Sequence, residues 1–250
     1  MTRQQRWTLA AAVLGSGIVF LNSTVVTVAL PRIGQALPTA RLGVLEAQAL
    51  VYNGYLLTLS ATLILAGALS DHLGRRRVFQ WGLMGFGVTS ILCGLAPTME
   101  LLIGARVLQG LAGAFLVPGS LAILTAAFSG EQQGTAFGFW AAGSTVATII
   151  GPFAGGVLVD SISWRAAFLV VVPFVLAALW ATFTFVEETR DEASSGHFDW
   201  LGAAVVALGV GGLTLGLIRG QEAQWQSAAA WLALAVGVAA TIAIPVVMVR

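Results

Sequence analysis

The sequence predicts an all-α integral membrane fold of about eight spans. Two observations carry this. The 250 residues are 58% hydrophobic and only 9% charged, with a mean hydropathy of +0.90, outside the range of a water-soluble domain. The apolar residues also come in runs long enough to cross a bilayer, separated by short segments that carry most of the arginines. A net charge of +1 gives no electrostatic case for a nucleic-acid partner. Every basic residue is arginine, a compositional habit from which no function is read. The single cysteine, Cys93, lies in an apolar span and has a packing role. His72 and His197 fall in loops, so no metal-ligand cluster and no cofactor are expected.

The spans are expected at Trp7 to Leu30, Ala49 to Ser70, Val78 to Ala96, Leu101 to Phe128, Thr135 to Val159, Ala166 to Val186, Trp200 to Ile218 and Ser227 to Val249. The start, with Arg3 and Arg6 before a long apolar run, imitates a signal peptide. The run is too long and lacks a small-residue cleavage site, so it reads as a retained first span. Arg3, Arg6, Arg75, Arg76, Arg77, Arg190 and Arg250 fall on one side, and Arg32, Arg41, Arg165 and Arg219 on the other. Seven against four places both termini in the cytoplasm, with the chain in the plasma (inner) membrane. Trp7, Trp164, Trp200 and Trp225 sit at span ends as interfacial anchors, whereas Trp140 is too deep for that role.

The first span contains Asn22, Ser23, Thr24 and Thr27 and ends at Pro31, where a helix can stop. Hydrogen bonds between helices account for such side chains in general. In the second span Tyr52, Asn53 and Tyr55 are either interfacial anchors or cavity-facing groups, and Glu46 sits in water at its mouth. Between the second and third spans lies Gly67-Ala-Leu-Ser-Asp71-His-Leu-Gly74-Arg75-Arg76-Arg77. A topology anchor explains its arginines, but it needs neither Asp71 nor the two glycines. In the fourth span Arg106 must face a wet cavity or a partner, or else snorkel to the nearby interface, because a cation in hydrocarbon costs about 2.5–3.5 kcal/mol even on lenient scales. Gln109, Gly110, Gly113 and Ala114 follow it. In the fifth span Gly151 and Gly155 share one helical face and admit a neighbouring backbone, Pro152 bends the helix, and Gly156 completes the string.

These strings occur in the order that defines a known family. The loop resembles G-x-L-[AS]-D-x-x-G-R-[RK], the signature between helices two and three of the major facilitator superfamily. Leu21 to Pro31 is similar to the first-helix motif of that superfamily's fourteen-helix drug:proton antiporter branch, L-D-x-T-V-V-N-V-A-L-P, with Asn22 in place of the aspartate. The region of Tyr52 to Tyr55 resembles W-V-x-N-x-Y, with Leu50 at the tryptophan position. Arg106 to Ala114 matches the fourth-helix motif R-x-x-Q-G-x-x-x-A, and Gly151 to Gly156 matches the antiporter motif G-P-x-x-G-G. Trp164 to Pro173 resembles W-R-W-x-F-x-x-N-x-P, with Ala166 and Val171 departing from it. Asp199-Trp200-Leu201-Gly202 also recurs in the branch.

The resemblance implies a six-helix transporter domain over 1–189, an acidic cytoplasmic linker over 190–198 and two additional helices over 199–250, with the C-terminal six-helix domain absent. It implies a substrate cavity at Asn22, Asn53, Tyr55, Arg106 and Gln109. It further implies a gating latch at Gly67, Asp71, Gly74, Arg75 and Arg76, and a hinge at Gly151, Pro152, Gly155 and Gly156. Its partners would be the lipid bilayer, an amphipathic small-molecule substrate, a proton as coupling ion, and the missing half or a second chain. The function implied is small-molecule efflux by alternating access, here as an N-terminal fragment or half-length form. Asn22 complicates the coupling, because an amide does not gain and lose a proton in the physiological range, and no Asp or Glu lies deep in a span. Coupling then resides in the missing half, or the protein is uncoupled, or it no longer transports. A stand-alone structural or regulatory subunit is the alternative. A membrane enzyme would need clustered catalytic groups, and the spans contain no histidine.

Overall fold

The computed structural model describes residues 1–39, 43–190, 199–222 and 224–248, all helical or in short connections. Ten helical segments run in the order α1 (Arg3–Ala36), α2 (Val44–Leu73), α3 (Arg75–Leu95), α4 (Met99–Gly113), α5 (Leu116–Ala127), α6 (Glu131–Ser161), α7 (Ala166–Leu169), α8 (Val171–Phe185), α9 (Trp200–Glu222) and α10 (Ala228–Met248). Among the described residues they make eight helices long and apolar enough to cross a membrane, as expected. Two spans are broken, and proline accounts for both breaks. Pro118 and Pro173 lack the N–H that would bond the carbonyls of Ala114 and Leu169, and the fourth and sixth spans divide at those residues.

The first helix does not stop at Pro31. It continues to Ala36, because Ile33 and Gly34 are buried and Gln48 of α2 donates to the Leu30 carbonyl at 2.9 Å. Of the tryptophans assigned to the interface, Trp7 is exposed and stacks on Phe185, but Trp164 is buried against Phe168 with the Arg165 guanidinium 4.3 Å from its ring. The linker residues 191–198 and Arg41 lie outside the described residues, as does Arg250.

Helix α1 is the axis of a six-span bundle. It packs along α6, with further contacts to α8, α5 and α2. Lipid offers no hydrophobic drive for helix association, so close packing and hydrogen bonds must hold the spans together. Both are visible. Along α1 and α6, Gly151 lies against Thr24 and Gly155 against Val25, so the two helices run parallel with their backbones nearly touching. A Cβ at Gly155 would come 3.2 Å from the Val25 Cα. Near the N-terminal ends the Trp140 indole donates to Ser16 at 2.7 Å and to Ser120 at 3.0 Å, tying α6 to α1 and α5. Trp140 is thus an internal hydrogen-bond donor. The α9–α10 pair is antiparallel, and α9 seats on α2, where Ser60 donates to Thr214 at 3.3 Å.

Candidate functional site

A turn-by-turn reading of α4 starts at Thr98, whose hydroxyl accepts from the Leu101 amide and caps the helix. Arg106 lies seven residues inside, about 10 Å along the axis. Its side chain does not snorkel out. It is fully buried and reaches α1 and α2. The Nε group donates to the Val51 carbonyl at 3.1 Å. The Nη1 group donates to Asn22 Oδ1 at 2.8 Å and to Gln109 Oε1 at 2.6 Å. The guanidinium stands 4.0 Å from the centre of the Tyr55 ring, a cation–π contact in a desolvated place. Gln109 in turn donates to Ser90 Oγ at 2.7 Å, and Cys93 Sγ donates weakly to Gln109 Oε1 at 3.8 Å.

α4 reaches α2 so closely because Gly110 has no side chain: a Cβ there would strike the Tyr55 carbonyl and the Thr58 hydroxyl. Thr58 uses the approach to donate to the Val107 carbonyl at 2.9 Å. None of the hydrogen-bond partners of Arg106 is a carboxylate. Its charge is held by two amide oxygens, a backbone carbonyl and a ring face. Three buried donors, Arg106 Nη2, Asn22 Nδ2 and the Tyr55 hydroxyl, have no hydrogen-bond partner among the described residues.

Four of the five cavity residues expected from sequence, Asn22, Tyr55, Arg106 and Gln109, are therefore brought together. They meet inside the six-span bundle and not on an open wall, since all four are fully buried. Asn53 is half-buried on α2 and takes no part in the hydrogen bonds of Arg106. Ser90 and Cys93 belong to the cluster and carry no sequence signal that would have singled them out.

The loop between α2 and α3 is fastened at the N-terminal face of the bundle. Arg75 pairs with Asp71 four residues earlier, at 3.0 Å through Nε and 2.9 Å through Nη2, and Nη1 reaches the Ala122 carbonyl of α5 at 3.5 Å. Gly74 takes φ +114°, a conformation that L side chains avoid. That turn opens the start of α3 to Glu188, whose carboxylate accepts from the amides of Arg76 at 3.1 Å and Arg77 at 3.2 Å. A carboxylate on free amides at a helix start is favourable both as a cap and toward the helix dipole. Thr189 adds its carbonyl, accepting from the Arg75 amide at 3.0 Å. Glu187 to Asp199 reads in sequence as a solvated linker, and its first residues are instead a clasp on α3. Gly67 sits in ordinary contact with Pro118 and is not itself part of the clasp. On α6, Gly151 and Gly155 face α1, while Pro152 is exposed and Gly156 has open space where a side chain would stand.

Eight apolar spans, an internal arginine tied to two neighbouring helices and a glycine-built parallel pair describe a helical membrane protein of many spans. The model of the Major Facilitator Superfamily matches residues 12–250, and the chain belongs to that superfamily. The chain is 37% identical over 224 residues to the tetracenomycin C resistance and export protein of Streptomyces glaucescens, covering 89% of this chain and 41% of that protein. It is 36% identical over 228 residues to the multidrug resistance protein Stp of Mycobacterium tuberculosis, covering 91% and 42%. The chain thus spans less than half the length of these two relatives. A solved bacterial homologue of the human lysosomal transporter Spinster, in its inward-facing and occupied conformation, shares the fold at a TM-score of 0.63. That match has 22% identity and covers 98% of this chain and 59% of the other.

Proposed function

We propose that this chain is the N-terminal portion of a fourteen-helix drug exporter that moves amphipathic small molecules across the plasma membrane by alternating access. In this reading residues 1–189 form the six-helix transporter domain, 190–198 the linker and 199–250 the two extra helices. The face that carries the N-terminus lies in the cytoplasm in this reading, which the arginine asymmetry supports. The observation that carries the reading is the burial of Arg106 among groups from α1, α2 and its own helix, with three donors left over. An unsatisfied buried donor costs about 1–3 kcal/mol, so a rearrangement that gives these groups partners is favoured by that much each. A transporter needs such a bistable centre. The names of the relatives, which speak of resistance and export, support outward movement of a small molecule.

Asn53, half-buried beside the cluster, is where a substrate would first meet polar groups. Asp71, Arg75 and Glu188 form the latch that holds the cytoplasmic face closed, and the α1–α6 contact at Gly151 and Gly155 is the pivot, with Pro152 beside it. Proton coupling in this reading does not run through Asn22, which has no titratable proton in the working range. The test is accumulation of a fluorescent amphipathic cation in cells expressing the gene, with and without a collapsed proton gradient. The parent is expected to lower accumulation and Arg106→Gln to abolish the effect. Export that is undiminished in Arg106→Gln would remove Arg106 from the mechanism. Absence of export together with an intact mass near 25.9 kDa from native membranes would favour a stand-alone subunit.

A further inference from the structure

A groove of about 580 Å³ opens at the N-terminal face between the start of α1, the start of α3 and the end of α8. Its lining includes Arg3 at the start of α1 and Arg76 at the start of α3. Arg3 forms no ion pair or hydrogen bond with any described residue and rests over the Phe185 ring at 5.9 Å. Arg76 uses one of its five N–H donors, on the Phe183 carbonyl at 2.9 Å. Glu188 on the rim is paired with Arg77 at 3.7 Å and accepts from the amides of α3, and Glu187 accepts from Gln4 Nε2 at 2.8 Å, so with Arg77 three guanidinium groups stand against two carboxylates. The groove therefore offers two forked cations and a surplus of donors to an anion.

Its depth identifies the anion. The groove lies where three apolar spans begin or end, the level at which phospholipid headgroups sit. Below it, Leu176, Trp180 and Phe183 expose a continuous apolar stripe on α8, 62%, 53% and 53% accessible, spaced to lie along one helical face. Trp7 and Trp180 meet edge to face at 5.0 Å beside Phe185, giving the rigid aromatic ledge that the interfacial zone favours. An acyl chain would follow the stripe while a phosphodiester met the arginines.

We propose that this groove binds the headgroup of an anionic phospholipid, with the phosphate between Arg3 and Arg76 and an acyl chain along the Leu176–Trp180–Phe183 stripe. The assignment is independent of what the protein transports. The experiment is native mass spectrometry of the purified protein in detergent with equal amounts of phosphatidylglycerol and phosphatidylcholine of identical acyl chains. A first lipid adduct enriched in phosphatidylglycerol is expected. Each arginine near the headgroups contributes about fivefold to that preference, so Arg3→Gln with Arg76→Gln should lower the ratio by more than about tenfold. Arg3→Gln alone, a change at an exposed terminus that leaves the fold intact, should lower it by about fivefold. Arg32→Gln, on the opposite face, should leave it unchanged. Equal retention of the two lipids by the parent, or a ratio that survives Arg3→Gln, would overturn the proposal. So would displacement of the adduct by millimolar glycerol phosphate, which would mean a soluble phosphate ligand.

Discussion

Arg106 and Arg75 occupy the same bundle and solve opposite problems. Arg75 sits at a water-facing end, with a carboxylate four residues away on the preceding turn and an α5 carbonyl within reach. Arg106 lies among helices with no water-facing side and has only neutral acceptors, drawn from α1, α2 and its own helix. At the end, charge is met by charge and the solvent takes most of the interaction away. Inside, the same residue is met by dipoles, and each dipole matters because nothing replaces it. The comparison separates positions where the chain needs a charge pair from positions where it needs a particular geometry.

The sharpest way to break the contrast is at its dry end. Arg106→Met would leave Asn22 Oδ1 buried without its donor and Gln109 Oε1 with only the weak Cys93 thiol, and at about 1–3 kcal/mol for each unmet group should cost about 2–4 kcal/mol in detergent thermal melts. A variant that melts higher than the parent would mean that desolvation of the lone cation outweighs its hydrogen bonds. At the water-facing end the largest effect should come from Gly74→Ala. That change forces a side chain into φ +114° and a Cβ to 2.6 Å from the Glu188 carboxylate, and it should cost about 2 kcal/mol. Asn22→Asp puts an anion where the amide oxygen now lies, 2.8 Å from the guanidinium, and should raise stability by about 1–2 kcal/mol. Efflux compared between the two would show whether the carboxylate also restores proton-driven transport. The smallest effect is expected at the half-buried Asp71–Arg75 pair. Asp71→Asn should cost about 0.5 kcal/mol, and molar salt should erase the difference from the parent.

The architecture was legible because hydrophobic length is a strong signal: eight spans were expected and eight are present, displaced only at their ends. The helix breaks at Pro118 and Pro173 follow from the same residue type that failed as a stop at Pro31. Packing beyond the proline decided each case, and sequence does not carry it. Arg106 announced itself by cost, since a cation within a span demands partners. Asn22 and Gln109 came with it through their motifs. That these groups turn into the bundle was not legible, because helical periodicity ranks faces without saying which neighbour each face meets. Glu188 was hidden for a different reason. It lies in an acidic, loop-like string, and its partners Arg76 and Arg77 are more than a hundred residues away in the chain.

Helix α2 is a beam loaded at two stations. At one, Val51 and Tyr55 hold the arginine through a carbonyl and a ring face. At the other, Ser60 takes the weight of the α9–α10 pair through Thr214. The stations are nine residues apart from Val51 to Ser60, about 14 Å on a rigid helix. A tilt of the hairpin of a few degrees therefore moves the carbonyl that grips Arg106 by a fraction of an ångström to an ångström, comparable to the slack in a hydrogen bond. The α9–α10 pair hangs on the same member that sets the arginine's grip.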